Sequence, residues 1–279
     1  MSILGTISEG TQSSGSRIVI GGLEKMGKTT LACGAPQALL IPLEVGFAGV
    51  TVAKTKMLQT FTETDALIDE ITGYAQRGQF PYRTLVLDSA TALERQIHDA
   101  VVRSDPTYRP GNKALNMETA HGGYGKGYVI ANQLFNGFLG KLDLLAVHAK
   151  INIVFTAHVF PSKMMDPTSG EYDSWDILLH SPKNQKTYGK REMLSQWADV
   201  IGFLYEPVFV SKADNMTRAV SQNKGRMLGL SRTPGYVAGN RFGIVGEIPL
   251  PTPPANGWNQ LAHAIHSSSG IDVFNRQQQ

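Results

Sequence analysis

Arg17-Ile-Val-Ile-Gly-Gly22-Leu-Glu-Lys-Met-Gly27-Lys28-Thr29-Thr30 is the stretch on which the reading of this chain turns. Ile18-Val-Ile20 is a short apolar run of strand type. Gly22 to Thr29 then fits G-x-x-x-x-G-K-[ST], and Thr30-Leu-Ala-Cys33 opens a helical pattern. Strand, glycine-bounded loop and helix in that order form a phosphate loop. The two glycines let the backbone curl so that the N–H groups of Gly22, Glu24, Lys25, Met26, Gly27 and Thr30 point inward at phosphate oxygens. The start of the helix adds partial positive charge. Lys28 would reach the β- and γ-phosphates, and the Thr29 hydroxyl would ligate Mg²⁺. The expected cofactors are therefore ATP and Mg²⁺. A chance Gly-rich turn is the alternative, and it leaves the flanking strand and helix unexplained.

Around that motif the chain has ordinary globular composition: 279 residues, 42% hydrophobic, 18% charged, net charge +3. The length suits one α/β domain with elaborations. The mild basic excess is compatible with a nucleic-acid partner without pointing to one. The single cysteine, Cys33, excludes an internal disulfide and suits a reducing compartment. No apolar run approaches a membrane span, and the first residues lack a signal peptide's charged and apolar regions. The expected location is the cytoplasm, without membrane contact.

Further strands are expected at Ala38–Glu44, Thr84–Asp88 and Ile151–Ala157, alternating with helical stretches near 62–75, 90–102 and 128–147. Thr62 with Asp65 reads as the capping box of the first of these helices. Ile130, Leu134, Phe138, Leu142 and Leu145 read as the inner face of the last. Trp197–Tyr205 and Gly225–Arg232 read as later, antiparallel strands, with a short helix near 258–265. This order predicts a mainly parallel sheet with helices on both faces. Residues 1–16 read as a loose arm, 17–268 as the domain and 269–279 as a frayed tail.

Carboxylates stand where such a sheet would present them to a phosphate. Asp88 closes an apolar strand and is followed by Ser89, the form of a Walker B motif, whose aspartate holds Mg²⁺ through water. Glu44 ends the preceding strand, where a carboxylate can face the γ-phosphate and activate water; a surface carboxylate is the other possibility. His158 ends a fourth strand, where it can contact the γ-phosphate or simply cap the sheet. The remaining histidines lack zinc-ligand spacing with Cys33, so no structural metal is expected.

The succession Gly22–Thr29, Glu44, Asp88-Ser89, Thr156-Ala-His158 resembles the RecA-like ATPase core, and Glu24 is a residue common in such loops. Tyr124–Val129, Leu178–His180, Gln196–Val200 and Arg232–Arg241 extend the resemblance to phage-encoded RecA-like P-loop ATPases. These are AAA-family ATP-binding proteins related to phage single-strand annealing ATPases. The resemblance implies Glu44 as base and His158 as nucleotide sensor. It also implies a homo-oligomer, a ring or a filament, in which an arginine acts on a neighbour's γ-phosphate. Ala238-Gly-Asn-Arg241 lacks a lysine that relatives carry there, which leaves Arg241 as the first candidate, with Arg232 and Arg226 behind it.

The same resemblance puts polymer-binding loops after the Walker B helix and after the fourth strand. The first, about 104–126, holds Tyr108, Arg109, Lys113, Tyr124 and Lys126. The second, about 160–193, reads as a long irregular segment holding Lys183, Lys186, Tyr188, Lys190 and Arg191. Basic groups for phosphates and aromatic faces for bases suit a single strand. Acids offset the charge of the second loop, and a solvated lid is its other reading. The expected function is a RecA-like ATPase acting on single-stranded DNA in phage recombination or annealing, in the bacterial host cytoplasm. A single-strand DNA-binding protein is a further implied partner. The alternatives are a nucleotide-switched binding protein or loader with negligible hydrolysis and, less well matched, a small-molecule kinase.

Overall fold

Ile18, Val19 and Ile20 are 0% exposed, as a strand buried on both faces requires. They lie in β1 (Arg17–Gly22), at the centre of the sheet. The computed structural model describes residues 14–271 except 48, 169, 183–187, 214–215, 222–224 and 253. Most of the expected arm, up to residue 13, and the tail from residue 272 lie outside the described residues.

The chain continues through α1 (Lys28–Cys33), β2 (Ala38–Pro42), β3 (Ala53–Lys54), α2 (Phe61–Gln76), β4 (Thr84–Asp88) and α3 (Ala90–Arg103). Then come α4 (Lys126–Val147), β5 (Asn152–Ala157), β6 (Val159–Asp166), β7 (Gly170–Ile177), α5 (Lys190–Trp197) and β8 (Val200–Tyr205). The last third holds β9 (Val208–Ala213), β10 (Met216–Ser221), β11 (Arg226–Gly229), β12 (Gly239–Asn240), β13 (Glu247–Leu250) and α6 (Trp258–Ser269).

The main sheet runs β13-β11-β8-β1-β5-β4-β2-β3, with β12 on β8. From β8 to β3 every pairing is parallel, while β11, β12 and β13 add antiparallel. The fold is thus the expected α/β architecture with antiparallel additions. The period of two sorts each strand between two cores. Val19, Leu85, Leu87, Ile153 and Phe155 pack under α2, α3 and α4. Ile18, Ile20, Leu40, Val86 and Val154 pack under α1 and α6.

Four local expectations need correction. The capping box of α2 is Thr60 with Glu63, not Thr62 with Asp65. Thr60 has the extended backbone an N-cap needs, and the two threonines are two residues apart in similar surroundings. On α4, Phe138, Leu142 and Leu145 are buried as expected, but Leu134 is 36% exposed and Phe135 and Leu139 complete the inner face instead. Trp197 closes helix α5, and β8 begins at Val200 and runs parallel to β1. The segment 160–193 is also not one irregular loop. Strands β6 and β7 pair antiparallel, outside the main sheet, and α5 follows. Pro161 and the mixed pattern Lys163-Met-Met-Asp166 hide the strand, because a two-stranded hairpin needs neither clean alternation nor an unbroken row of donors.

Candidate nucleotide site

Parallel strands direct their carboxyl ends to one edge, and the turns that leave them build a crevice there. At this edge Gly22–Gly27 leaves β1, Glu44 follows β2, Asp88 closes β4 and His158 follows β5. Residues separated by 114 positions in the chain, Glu44 and His158, come within hydrogen-bond reach.

The loop is already curled. Lys28 is buried, and its ammonium donates to the carbonyls of Gly22 and Leu23, each at 2.8 Å. Burial lowers its pKa, against the opposing charges of Asp88, Glu44 and Glu24. Gly27 has φ +92°, a left-handed conformation that favours glycine, and its carbonyl accepts the first helical bond from Leu31 at 2.9 Å. Helix α1 spans only six residues, so the loop's own N–H groups contribute more to an anion site than the helix dipole does.

Asp88 is held between two hydroxyls. Thr29 Oγ1 donates to Asp88 Oδ2 at 2.9 Å, and Thr156 Oγ1 donates to Asp88 Oδ1. Burial raises the Asp88 pKa, and these two hydrogen bonds oppose the rise. A hydroxyl and a carboxylate oxygen side by side are the donors Mg²⁺ takes when it keeps waters and substrate phosphates for the rest of its shell. Among the described residues no group of three or more His, Cys, Asp or Glu could hold a metal ion.

Glu44 is tethered on three sides. Its Oε1 accepts from Ser89 Oγ at 2.6 Å and lies 2.8 Å from His158 Nε2. Its Oε2 meets the Arg95 guanidinium at 2.7 Å. Burial would raise this pKa, but the hydrogen bonds of His158 and Ser89 and the charges of His158 and Arg95 bring it down to about 2. The group is therefore anionic throughout the neutral range. Glu24, Glu44, Thr91, Arg95 and His158 line one cleft of about 740 Å³.

The sequence matches the family described as AAA domain over residues 14–242, well over half of the chain. The protein belongs to this AAA-domain family. Its members are P-loop ATPases, and the coarse reading of this AAA-domain protein is a nucleotide-binding ATPase domain, for which Mg²⁺ is the usual companion ion. No curated protein matches it in sequence. No helix among the described residues is long and apolar enough to cross a membrane.

Sequence reasoning about this AAA-domain protein missed the residues that orient others. Ser89, Thr91, Glu94 and Arg95 all project from the start of α3. Thr91 Oγ1 donates to the Leu178 carbonyl and accepts the His158 N–H, each at 3.2 Å. Glu94 accepts the His180 N–H at 2.8 Å and pairs with Lys190 at 3.3 Å. The available signal was a helical one: the first two turns after a Walker B strand face the crevice, so polar residues there merit attention.

The expected polymer contacts divide. Tyr124 is fully exposed and Tyr188 is 63% exposed. Arg109, Lys113 and Lys126 are exposed as well, and Tyr108 is half-buried. Lys190 is not available to a ligand: it is 0% exposed and is held by Glu94 and Asn132, because the ammonium sealed beneath α5 needs a carboxylate. Arg191 is turned inward to Asp176 at 3.0 Å and Glu192 at 3.2 Å. Lys183 and Lys186 lie outside the described residues. Arg241 stands at the opposite end of the sheet from Gly27, paired with Asp199 at 3.1 Å. It contributes nothing to its own chain's crevice.

Proposed function

We propose that this AAA-domain protein hydrolyses Mg·ATP and that single-stranded DNA is the polymer to which hydrolysis is coupled. The observation that carries the hydrolytic part is the Glu44 carboxylate. It is ionised and fixed by Ser89 and His158, on the same crevice as the Thr29–Asp88 pair. In this reading Lys28 and the loop amides bind the phosphates, and Thr29 and Asp88 hold Mg²⁺. When bound, the ion offsets charge between the β- and γ-phosphates. Glu44 orients the attacking water and accepts its proton, a contribution of about 10²–10⁴ in rate. His158 bonds to Glu44 on one side, and its carbonyl accepts the Leu178 N–H at 2.8 Å, so it links the γ-phosphate side to the segment beyond β7.

The DNA part is supported by exposed aromatic and basic side chains on the two segments flanking α4. Tyr128, Asn132, Gln133 and Tyr188 line a second groove of about 920 Å³ there. Stacking faces and carboxamides suit unpaired bases. A phage recombination or annealing role, host cytoplasm as the location and a homo-oligomer completed by Arg241 belong to the same proposal.

One observation favours a second reading, a nucleotide switch with negligible turnover. Arg95 occupies the Glu44 oxygen that Ser89 and His158 leave free. Steady-state ATP hydrolysis with and without single-stranded DNA separates the two, with Lys28→Ala as blank. DNA stimulation absent from Lys28→Ala supports the coupled ATPase. Nucleotide binding without turnover, with or without DNA, supports the switch and sinks the hydrolytic proposal.

A further inference from the structure

Arg226 opens β11, and its strand register places it at the phosphate-loop end of the sheet. Gly22 pairs with Leu204 of β8, and Leu204 pairs in turn with Leu228 of β11. The Arg226 guanidinium reaches Gly27. A Cβ added to Gly27 would lie 3.0 Å from Arg226 Nη1 and 3.1 Å from Pro254 Cγ. Arginine and proline thus wall the loop on the side away from β5.

Two observations separate this arginine from five others. Arg17, Arg95, Arg103, Arg191 and Arg241 each face a carboxylate at 3.1 Å or less. Arg226 is half-buried on β11 and makes no ion pair or hydrogen bond among the described residues. A guanidinium held partly out of water without an anion costs free energy unless a ligand supplies one. Its planar fork suits phosphate oxygens.

Its side of the sheet says which phosphates. The Mg²⁺ and water groups, Asp88, Glu44 and His158, come from β4, β2 and β5, on one flank of β1. Arg226 comes from β11, beyond β8 on the other flank. We infer that Arg226 binds the α- and β-phosphates of the nucleotide held by its own chain, with Pro254 closing that side of the loop. The inference rests on the nucleotide-site reading above and deepens it. It gives Arg226 a role within one subunit, where sequence resemblance makes it a reserve candidate for action on a neighbour's γ-phosphate.

The test is equilibrium titration of the full chain with fluorescently labelled ATP and ADP in Mg²⁺. Parent, Arg226→Ala, Arg226→Lys and Lys28→Ala proteins are compared. Arg226→Ala should weaken ATP and ADP by the same factor, about tenfold. The factor should be unchanged at protein concentrations tenfold apart, and Arg226→Lys should recover part of it. In the unaltered protein, ATP and ADP should both protect Arg226 from phenylglyoxal, read by peptide mass spectrometry, which covers the case of a variant that does not fold. Parent-like affinity in Arg226→Ala, or no protection, overturns the inference while leaving the nucleotide site intact. A loss confined to ATP overturns the α/β assignment in favour of the γ-phosphate. A parent protein that binds no better than Lys28→Ala overturns the nucleotide site itself, and the inference with it.

Discussion

The two ends of the central sheet carry charged clusters built from the same kinds of residue, and they do different work. At the amino end of β1, Arg17 bonds Asp199 at 2.8 Å and Asp143 at 3.0 Å. Trp197 Nε1 donates to Asp143 at 2.8 Å, and Arg241 adds a further pair to Asp199. Each carboxylate there meets at least one cation, and the groups satisfy one another. At the carboxyl end, among the described residues, Asp88 has two hydroxyls and no directly paired cation, and Lys28 is held only by carbonyls. Arg226 has no anion at all among the described residues. A cluster that satisfies itself stabilises the fold. One that leaves charge uncompensated beside a cleft has capacity for a ligand.

That contrast breaks most sharply at Lys28. Lys28→Ala should abolish measurable turnover and weaken nucleotide binding by about a hundredfold, seen by titration, with little change in the unfolding midpoint. Next is Glu44→Gln, where turnover should fall by about 10²–10⁴ while binding is kept. Turnover within a few-fold of the parent would remove Glu44 from its role.

Arg17→Met, at the other end, should do the reverse. It removes a charged hydrogen-bond centre of 22% side-chain exposure, so stability should drop by about 2 kcal/mol in denaturant titration. Nucleotide affinity should stay at the parent value, and a parallel loss of affinity would blur the comparison. Arg241→Ala touches a pair whose arginine is 53% exposed and should cost about 0.5 kcal/mol. If Arg241 serves a neighbour, turnover should fall and partly return when these chains are mixed with Lys28→Ala chains. No recovery on mixing would confine Arg241 to its pair with Asp199.

The smallest effect is one of pH. Glu44 has its pKa lowered from 4.5 to about 2 in the folded chain. Its contribution to stability is therefore complete above pH 4.5 and is lost as pH falls toward 2. The difference in unfolding midpoint between parent and Glu44→Gln should accordingly be larger at pH 7 than at pH 3. A constant difference would mean that the carboxylate is less firmly held than its three partners imply.

Much of the molecule was legible because it is local. The phosphate loop needs eight consecutive residues, and its glycines, lysine and threonine act through their own backbone. Strands β1, β2, β4 and β5 announced themselves as apolar runs, since a buried parallel strand has no polar face. Asp88 and Glu44 were findable because strand ends in such a sheet share one edge. What was hard to read depends on packing. Lys190 looks like a phosphate ligand in sequence, and only the closure of α5 over Glu94 and Asn132 makes it an internal cation. The β6–β7 hairpin was missed because a projecting ribbon buries too little to impose a pattern.

By itself, then, the sequence determined a phosphate loop between a strand and a helix, a parallel α/β sheet around it, and the strand-end carboxylates. These follow from short-range backbone geometry and from the period of apolar residues. Tertiary structure alone decided which charges close on one another and which stay open. Ser89, Arg95 and His158 converge on Glu44, and Arg226 arrives at Gly27 across β8. Such pairings depend on where distant segments are brought in space, and charge neutralisation is a property of that neighbourhood rather than of position along the chain.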